Sequence, residues 1–234
     1  MTKSPVHCRE LAVGYNGEAV LETLSFTVPE GETVSLVGRS GCGKTTLLKT
    51  LAGILPPLAG EATVLGSRLP AAPPAGTLGY IPQGHGLVPH ESALTNVLHG
   101  RLSDLGILRS LLGRYPKDAV REARAAIEQV GLAGKEHSRV KELSGGQQRR
   151  VAIARAFVQE PDLLLADEMF SELDRETAQS IIRCLDSLQA ETGMAVVIVE
   201  HNLEIAHEIS DTVLALGEQG DEMPTEPARN RSSS

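Results

Sequence analysis

The sequence predicts an α/β fold, in which a parallel sheet covered by helices is joined to a small N-terminal sheet and interrupted by a helical insertion. The runs "DLLLAD" and "MAVVIVE" are continuously apolar, which is typical of strands buried on both faces of a parallel sheet. Apolar residues also recur at helical spacing, at Val120, Ala123, Ile127 and Val130, and again at Ala178, Ile181, Leu185 and Leu188.

The N-terminal part is predicted to form short strands. The runs "HCRELAV", "LSFTV" and "TVSLV" are separated by the turn-rich stretches "GYNGE" and "PEGE", which indicates a small sheet that leads into a buried strand. A glycine loop follows, then a helix that ends at Gly53. Further strands are predicted at "EATVLG" and "TLGYIP".

The remaining organisation is one domain with a tail. Residues 84–158 have the helical pattern and form the predicted insertion, and the domain as a whole spans residues 1–216. Residues 217–234 are polar and rich in Pro and Ser, which predicts a poorly ordered tail.

Composition narrows the classes of function. The 234 residues carry a formal charge of −8, only 3% aromatic residues and no Trp, so neither phosphate-backbone attraction nor base stacking favours binding of nucleic acid. The three cysteines are widely spaced, without a CxxC pair, which suits reduced thiols in a cytoplasm. The start "MTKSPVHCRE" lacks an apolar stretch typical of a signal peptide, and any membrane connection is expected to go through a partner.

The glycine loop matches the phosphate-binding pattern GxxxxGK[ST] between a strand and a helix. Its backbone N–H groups are expected to face phosphate oxygens. Lys44 is expected to reach the β- and γ-phosphates, and the Thr45 hydroxyl to bind Mg²⁺. The candidate nucleotide-binding residues are Gly38, Arg39, Ser40, Gly41, Cys42, Gly43, Lys44, Thr45 and Thr46.

Two carboxylates end the apolar run "LLLADE" and supply the hard oxygen ligands that Mg²⁺ prefers. We expect Asp167 to hold the metal, on a strand that could lie beside the strand of the glycine loop, and Glu168 to polarise the attacking water. Acidic residues are common at strand ends, so the pair alone does not indicate a metal site. Together with the glycine loop it does.

A second glycine motif, "LSGGQ", opens the helix that contains Val151, Ala154 and Val158. Ser144 and Gln147 form a capping box, which is a sufficient structural explanation for those two residues. Gly145 and Gly146 are unfavourable in a helix start, but they leave bare backbone that is complementary to phosphate. Either the insertion folds across the nucleotide of its own chain, or this second site faces the ATP of another chain.

The combination of the glycine loop, "LSGGQ" and "LLLADE" resembles the ATP-binding cassette ATPases over residues 6–216. That resemblance implies a P-loop NTPase core with an N-terminal antiparallel β subdomain and an inserted α-helical subdomain. It also implies ATP and Mg²⁺ as cofactors and a head-to-tail dimer, in which Ser144, Gly145, Gly146 and Gln147 meet the partner's ATP.

Further residues are assigned by the same resemblance. Tyr15 resembles the aromatic residue that stacks on adenine, and Gln83 the glutamine that senses Mg²⁺ and the γ-phosphate. His201 resembles the switch histidine at the γ-phosphate, and Asp174 the aspartate at the dimer interface, although an aspartate there also suits a helix N-cap. The chain departs from the pattern at Met169, where proline is usual, and at Glu172, where a small residue is usual.

The segments "GLVPHESALTNVLHGRL" and "LRSLLGRYPKDAV" resemble phosphonate-import cassettes. The implied function is an ATP-hydrolysing subunit at the cytoplasmic face of the inner membrane, with transmembrane permease subunits, a second and identical ATPase subunit, and a solute-binding protein acting indirectly. Alternatives are a cassette that powers lipoprotein release or envelope signalling, a nucleic-acid- or ribosome-associated cassette, and a binding module without turnover.

Overall fold

The computed structural model describes residues 4–102, 115–217 and 222–224, and within them an antiparallel sheet forms the N-terminal subdomain. Its strands are β1 (Val6–Tyr15), β2 (Glu18–Val28), β4 (Ala59–Val64) and β5 (Ser67–Arg68). The strand order is β2-β1-β4-β5, so the central strand β1 pairs on both sides. The predicted strands are therefore present, and β1 and β2 are longer than their apolar runs.

The second sheet is parallel in its core. It contains β3 (Thr33–Gly38), β6 (Leu78–Ile81), β7 (Leu163–Asp167), β8 (Ala195–Val199) and β9 (Thr212–Leu216). Every residue of β7 and β8 is buried, because side chains of both faces are covered. Leu163 and Leu165 pack in a core with the N-terminal sheet, whereas Leu164 and Ala166 pack in the core of the helical insertion.

The strand order corrects one expectation. With β10 (Glu222–Pro224) at one edge, the described strands are arranged as β10-β9-β3-β8-β7-β6. Strand β7 therefore does not lie beside β3, the strand of the glycine loop. Strand β8 pairs in parallel with both, which places β3 and β7 about 10 Å apart. Both strands still end at the same edge of the sheet, where ligands of open α/β sheets bind.

The described helices include those that the sequence predicts and one that it does not, Leu203–Ile209. They are α1 (Lys44–Leu51), α2 (Ala93–Leu98), α3 (Lys117–Gln129), α4 (Gly145–Gln159), α5 (Arg175–Thr192) and α6 (Leu203–Ile209). Helix α4 is central to the insertion and packs against α2, α3 and β6. None of the helices in the described ranges is long and apolar enough to span a membrane.

Two expectations fall partly outside the described residues. In the predicted tail, Glu222–Pro224 forms strand β10, antiparallel to β9, while residues 218–221 and 225–234 lie outside the description. The "RSLLG" part of the phosphonate-type pattern, residues 109–113, lies outside it as well. The single-domain boundary at residue 216 stays a prediction.

Candidate functional site

The glycine loop connects β3 to α1 and has the conformation that its glycines permit. Gly41 and Gly43 have φ values of 84° and 99°, in the left-handed region that glycine adopts most readily. A Cβ atom at Gly43 would lie 2.8 Å from Cγ of Leu21, whereas a Cβ at Gly41 would meet nothing within 4 Å. Gly43 is thus needed for close packing, and the loop at Gly41 is open to a ligand.

Lys44 is the first residue of α1 and is buried at its base. Its Nζ donates hydrogen bonds to the carbonyl oxygens of Gly38 and Arg39, at 2.7 and 2.9 Å. The side chain therefore folds back over the loop that it follows. Its charge is fixed at the start of α1, where the helix dipole also favours an anion.

Asp167 ends β7 and is 1% exposed. Neither of its carboxylate oxygens accepts a hydrogen bond of ordinary geometry from the described residues. Burial raises the pKa of Asp167 and the charge of Glu168 adds to this, while the Thr45 hydroxyl, Lys49 and Lys44 lower it. A buried carboxylate without direct partners is costly unless a cation satisfies it, so the donor set of Asp167 and Thr45 fits Mg²⁺.

Glu168 and His201 form a pair at the mouth of the site. Nε2 of His201 lies 2.7 Å from Oε1 of Glu168, and their side chains are 47% and 19% exposed respectively. Glu168 has a φ of 57°, an unusual value for a residue that is not glycine. The ends of β7 and β8 thus bring a carboxylate and an imidazole together where solvent can reach them.

A cleft collects most of the predicted residues. Its walls include Tyr15, Ser40, Gly41, Gly43, Lys44, Thr45, Thr46, Gln83, Glu168 and His201. Val20 also lines this cleft and is 41% exposed, similar to Tyr15, which is 43% exposed. Val20 could not be predicted from the sequence, because nothing in the pattern of β2 distinguishes it from any other exposed strand residue.

The residues of the second glycine motif are not among those that line this cleft. Ser144 Oγ accepts a hydrogen bond from the Gln147 backbone N–H at 3.3 Å, and Gln147 Oε1 accepts one from the Ser144 N–H at 3.0 Å. The capping box is therefore present at the start of α4. The glycines are not explained by it.

Glu172 lies against the start of α4 within the same chain, and Ser144 and Gly145 there stay exposed. A Cβ atom at Gly145 would lie 2.7 Å from Oε2 of Glu172, and one at Gly146 would lie 3.1 Å from its carbonyl oxygen. Glu172, which departs from the family pattern, thus lies against the backbone of the two glycines that begin α4. Asp174, close by, is the N-cap of α5, and hydrogen bonds from Thr177 lower the pKa of its carboxyl.

The family model for ABC transporters matches residues 21–171. The chain belongs to the ABC transporter family. This confirms the resemblance inferred from the three motifs, and with it the α/β P-loop NTPase fold class. ATP binding and ATP hydrolysis are the chemistry of this family.

Curated relatives agree with this assignment. The chain is 41% identical over 204 residues to phosphonates import ATP-binding protein PhnC 1 of Natronomonas pharaonis, covering 87% of this chain and 86% of the relative. It is 36% identical over 220 residues to spermidine/putrescine import ATP-binding protein PotA of Mycoplasma capricolum, covering 93% of this chain and 60% of the relative.

A solved structure shares the architecture. It is the dimeric post-hydrolysis state of the ATP-binding cassette MJ0796 bound to ADP and Pi, with a TM-score of 0.81, 27% sequence identity, and coverage of 96% of this chain and 99% of that one. An ABC cassette with this fold therefore binds the products of ATP hydrolysis, as expected for an ATPase.

Cys42 offers a test of where nucleotide binds to this ABC ATPase. Its Sγ lies 3.8 Å from Nζ of Lys44 in the half-buried glycine loop, whereas Cys8 is buried and burial raises the pKa of the Cys184 thiol. A maleimide is therefore expected to label Cys42 fastest. With MgATP about tenfold above its Kd, the labelling rate should fall roughly tenfold, because about nine-tenths of the sites are filled.

Cys184 is the internal control for this experiment, since its labelling rate should not respond to MgATP. Peptide mapping by mass spectrometry measures both rates on one sample. Equal labelling of Cys42 with and without MgATP would contradict the placement of the phosphates on this loop.

Proposed function

We propose that this chain is the ATP-hydrolysing subunit of a membrane importer of phosphonate-type solutes, and that it acts as a homodimer with two shared ATP sites. One observation carries the dimer: the glycine loop and "LSGGQ" both expose backbone suited to phosphate, yet "LSGGQ" is not part of the cleft of its own chain. A second copy supplies the missing wall. The dimeric MJ0796 cassette supports this arrangement.

The proposed chemistry uses groups that the fold already brings together. Gly38, Arg39, Ser40, Gly41, Cys42, Gly43, Lys44, Thr45 and Thr46 hold the phosphates, and Tyr15 stacks on adenine. Thr45, Gln83 and Asp167 hold Mg²⁺, which when bound neutralises charge on the phosphate oxygens. The oxygens of Asp167, buried and without direct partners, support the role of this residue.

Glu168 is proposed to act as the base that orients and polarises the attacking water, and His201 to hold Glu168 and contact the γ-phosphate. Their 2.7 Å contact supports both assignments, because the imidazole fixes one carboxylate oxygen and leaves the other for water. Gln83 lines the same cleft and begins the segment that leads into the helical insertion. Loss of the γ-phosphate can thereby be transmitted to that insertion.

The partners follow from the proposed transport role. We propose that permease subunits bind at residues 84–100, that a solute-binding protein acts through them, and that the chain lies peripherally on the cytoplasmic face of the membrane. The phosphonates import relative of Natronomonas pharaonis, at 41% identity, supports a phosphonate-type solute. The PotA relative at 36% identity supports a polyamine importer as the second candidate.

The first prediction concerns the base. Glu168→Gln should retain MgATP affinity within about threefold, because Lys44, Thr45 and Asp167 are unchanged, and should lower kcat by at least about a hundredfold, because amide oxygen is a poor base. Phosphate release and nucleotide titration measure the two quantities. Steady-state phosphate release at the wild-type rate would contradict the role of Glu168.

The second prediction concerns the dimer. In the E168Q background, the mass measured by light scattering should double on addition of MgATP. Ser144→Arg should abolish that doubling without loss of nucleotide binding, since its guanidinium would block the partner's γ-phosphate and not its own chain's cleft. If S144R also abolished nucleotide binding by the monomer, the proposal of ATP sites shared between two chains would be wrong.

Glu172 supplies the matched gain-of-association variant. Its carboxylate rests on Gly145 and would face the incoming phosphate, and like charges brought together at an interface are unfavourable. Glu172→Ala in the E168Q background should therefore tighten ATP-dependent dimerisation by at least about threefold at low salt. High salt should reduce the difference by screening, and an unchanged dimer Kd would contradict this contribution of Glu172.

The third prediction concerns the permease and the solute. Complexes captured from native membranes with the E168Q chain should contain a permease whose solute-binding protein binds 2-aminoethylphosphonate and not spermidine, as measured by calorimetry.

Val88→Glu, at a 41% exposed position, should reduce permease capture, since it places a charge on an apolar contact. Ile54→Glu, at a 57% exposed position elsewhere, is the control. Binding of spermidine instead would favour the polyamine importer.

A further inference from the structure

Glu200 is a buried acid that none of the roles above uses. It follows β8 directly and is 4% exposed. Its backbone N–H donates to the carbonyl of Leu36 at 3.1 Å, which continues the pairing of β8 with β3. Its Oε1 has no hydrogen-bond partner among the described residues. A buried carboxyl in this condition is costly, so its presence beside the cleft needs an explanation.

The carboxyl of Glu200 contacts the turn formed by residues 168–171, here named the Glu168 turn. Strand pairing sets this turn beside Glu200, because the N–H of Glu168 donates to the carbonyl oxygen of Val199 at 3.0 Å. The backbone N–H groups of Phe170, in that turn, and of His201 lower the pKa of the Glu200 carboxyl. Glu200 therefore links the two short segments that carry Glu168 and His201. These are the groups whose 2.7 Å contact is proposed to prepare the attacking water.

Arg149 also contacts the Glu168 turn. This residue of α4 is 4% exposed, and its guanidinium donates a hydrogen bond to the carbonyl oxygen of Glu168. Its charge also lowers the pKa of Glu200. A buried cation and a buried acid thus meet at the backbone of the Glu168 turn.

The Glu168 turn has little conformational restraint of its own. Its sequence, Glu-Met-Phe-Ser, contains neither proline nor glycine, although Glu168 has a φ of 57°. Within the turn, the N–H of Ser171 bonds to the carbonyl of Glu168 at 3.1 Å. Left-handed backbone at such a residue persists only where the surrounding structure holds it, and Glu200 and Arg149 provide that support.

We propose that Glu200 is a positioning residue for ATP hydrolysis, which holds the Glu168 turn through the Phe170 N–H and so keeps Glu168 beside His201. This inference rests on the proposed role of Glu168. It differs from that role in its consequence: loss of Glu200 should impair turnover by displacing the base, while the groups that bind nucleotide stay in place.

The ionisation of Glu200 is coupled to its surroundings. The pKa of Glu200 is raised to about 7, chiefly by burial and also by the charge of Glu168, against the Phe170 and His201 N–H groups and Arg149, which lower it. The charged groups that act on it are therefore Glu168, directly after β7, and Arg149 on α4. Below neutral pH the neutral form avoids a second negative charge next to the base.

Kinetics of paired variants test the positioning role. Glu200→Gln keeps an oxygen acceptor for the Phe170 N–H, so kcat near pH 6.5 should stay within about threefold of wild type. Glu200→Ala removes the acceptor and should lower kcat at least about tenfold, because small displacements of a catalytic group are costly, with KM and MgATP affinity within about threefold. Glu204→Gln, an exposed change in the next helix, is the control.

The outcomes separate this inference from the proposed function. Wild-type kcat in E200A, or equal losses in E200A and E200Q, would overturn the positioning role even when E168Q is inactive. If E168Q itself were active, the proposed function of Glu168 would fail first. Parallel losses of kcat and of MgATP affinity in E200A would show general disruption of the cleft and would also overturn the inference.

Thermal unfolding without nucleotide gives a readout independent of turnover. The unfolded chain releases the Glu200 proton near the ordinary value of 4.5, and the folded chain holds it to about 7. The stabilisation linked to this proton is complete below the lower value and is lost as pH rises through the upper one. Glutamine does not titrate, so the Tm of E200Q minus that of wild type should increase from pH 5 to pH 8. A constant difference would overturn the assignment of Glu200 as a buried acid at this turn.

Discussion

The site is organised around a carboxylate that is buried without direct partners. Asp167 stands at the carboxyl end of β7, 1% exposed, and no described residue gives either oxygen an ordinary hydrogen bond. Such a group destabilises the fold unless a cation compensates it. The neighbouring Thr45 hydroxyl and the fixed charge of Lys44 compensate it in part, which makes the site complementary to a metal ion carrying phosphates.

The parallel sheet explains how these groups come to one place. Strand β8 lies between β3 and β7. The glycine loop after β3 and Asp167 at the end of β7 are therefore on either side of the end of β8, and His201 follows β8. Three consecutive strand ends therefore supply a phosphate loop, an imidazole and a pair of carboxylates. The arrangement depends on β7 and β8 being buried on both faces, because packing on both faces holds the ends of these strands in place within the sheet.

The strands and loops of this site could be predicted from the sequence, but their order in the sheet and their tertiary contacts could not. The apolar runs located β7 and β8, and the glycine pattern located the loop, because periodicity and backbone demands are local. Strand order is not local, so the sequence allowed β7 to lie beside β3, whereas the structure places β8 between them. The same limit applies to Val20 and Glu200. The role of a strand valine or a strand-end acid depends on its tertiary neighbours, which are the cleft that Val20 shares with Tyr15 and the Glu168 turn beside Glu200.

The two departures from the cassette pattern have different consequences. Met169 is wholly buried and belongs to the core beside Phe170, so its side chain contributes packing, and the turn that it joins is supported by Glu200 and Arg149. Glu172 instead contacts the bare start of α4, away from the cleft that contains Glu168. A change at residue 169 is therefore absorbed by the core. A charge at residue 172 acts on the surface proposed to meet the partner's phosphate, and so on association of the two chains more than on the hydrolytic step.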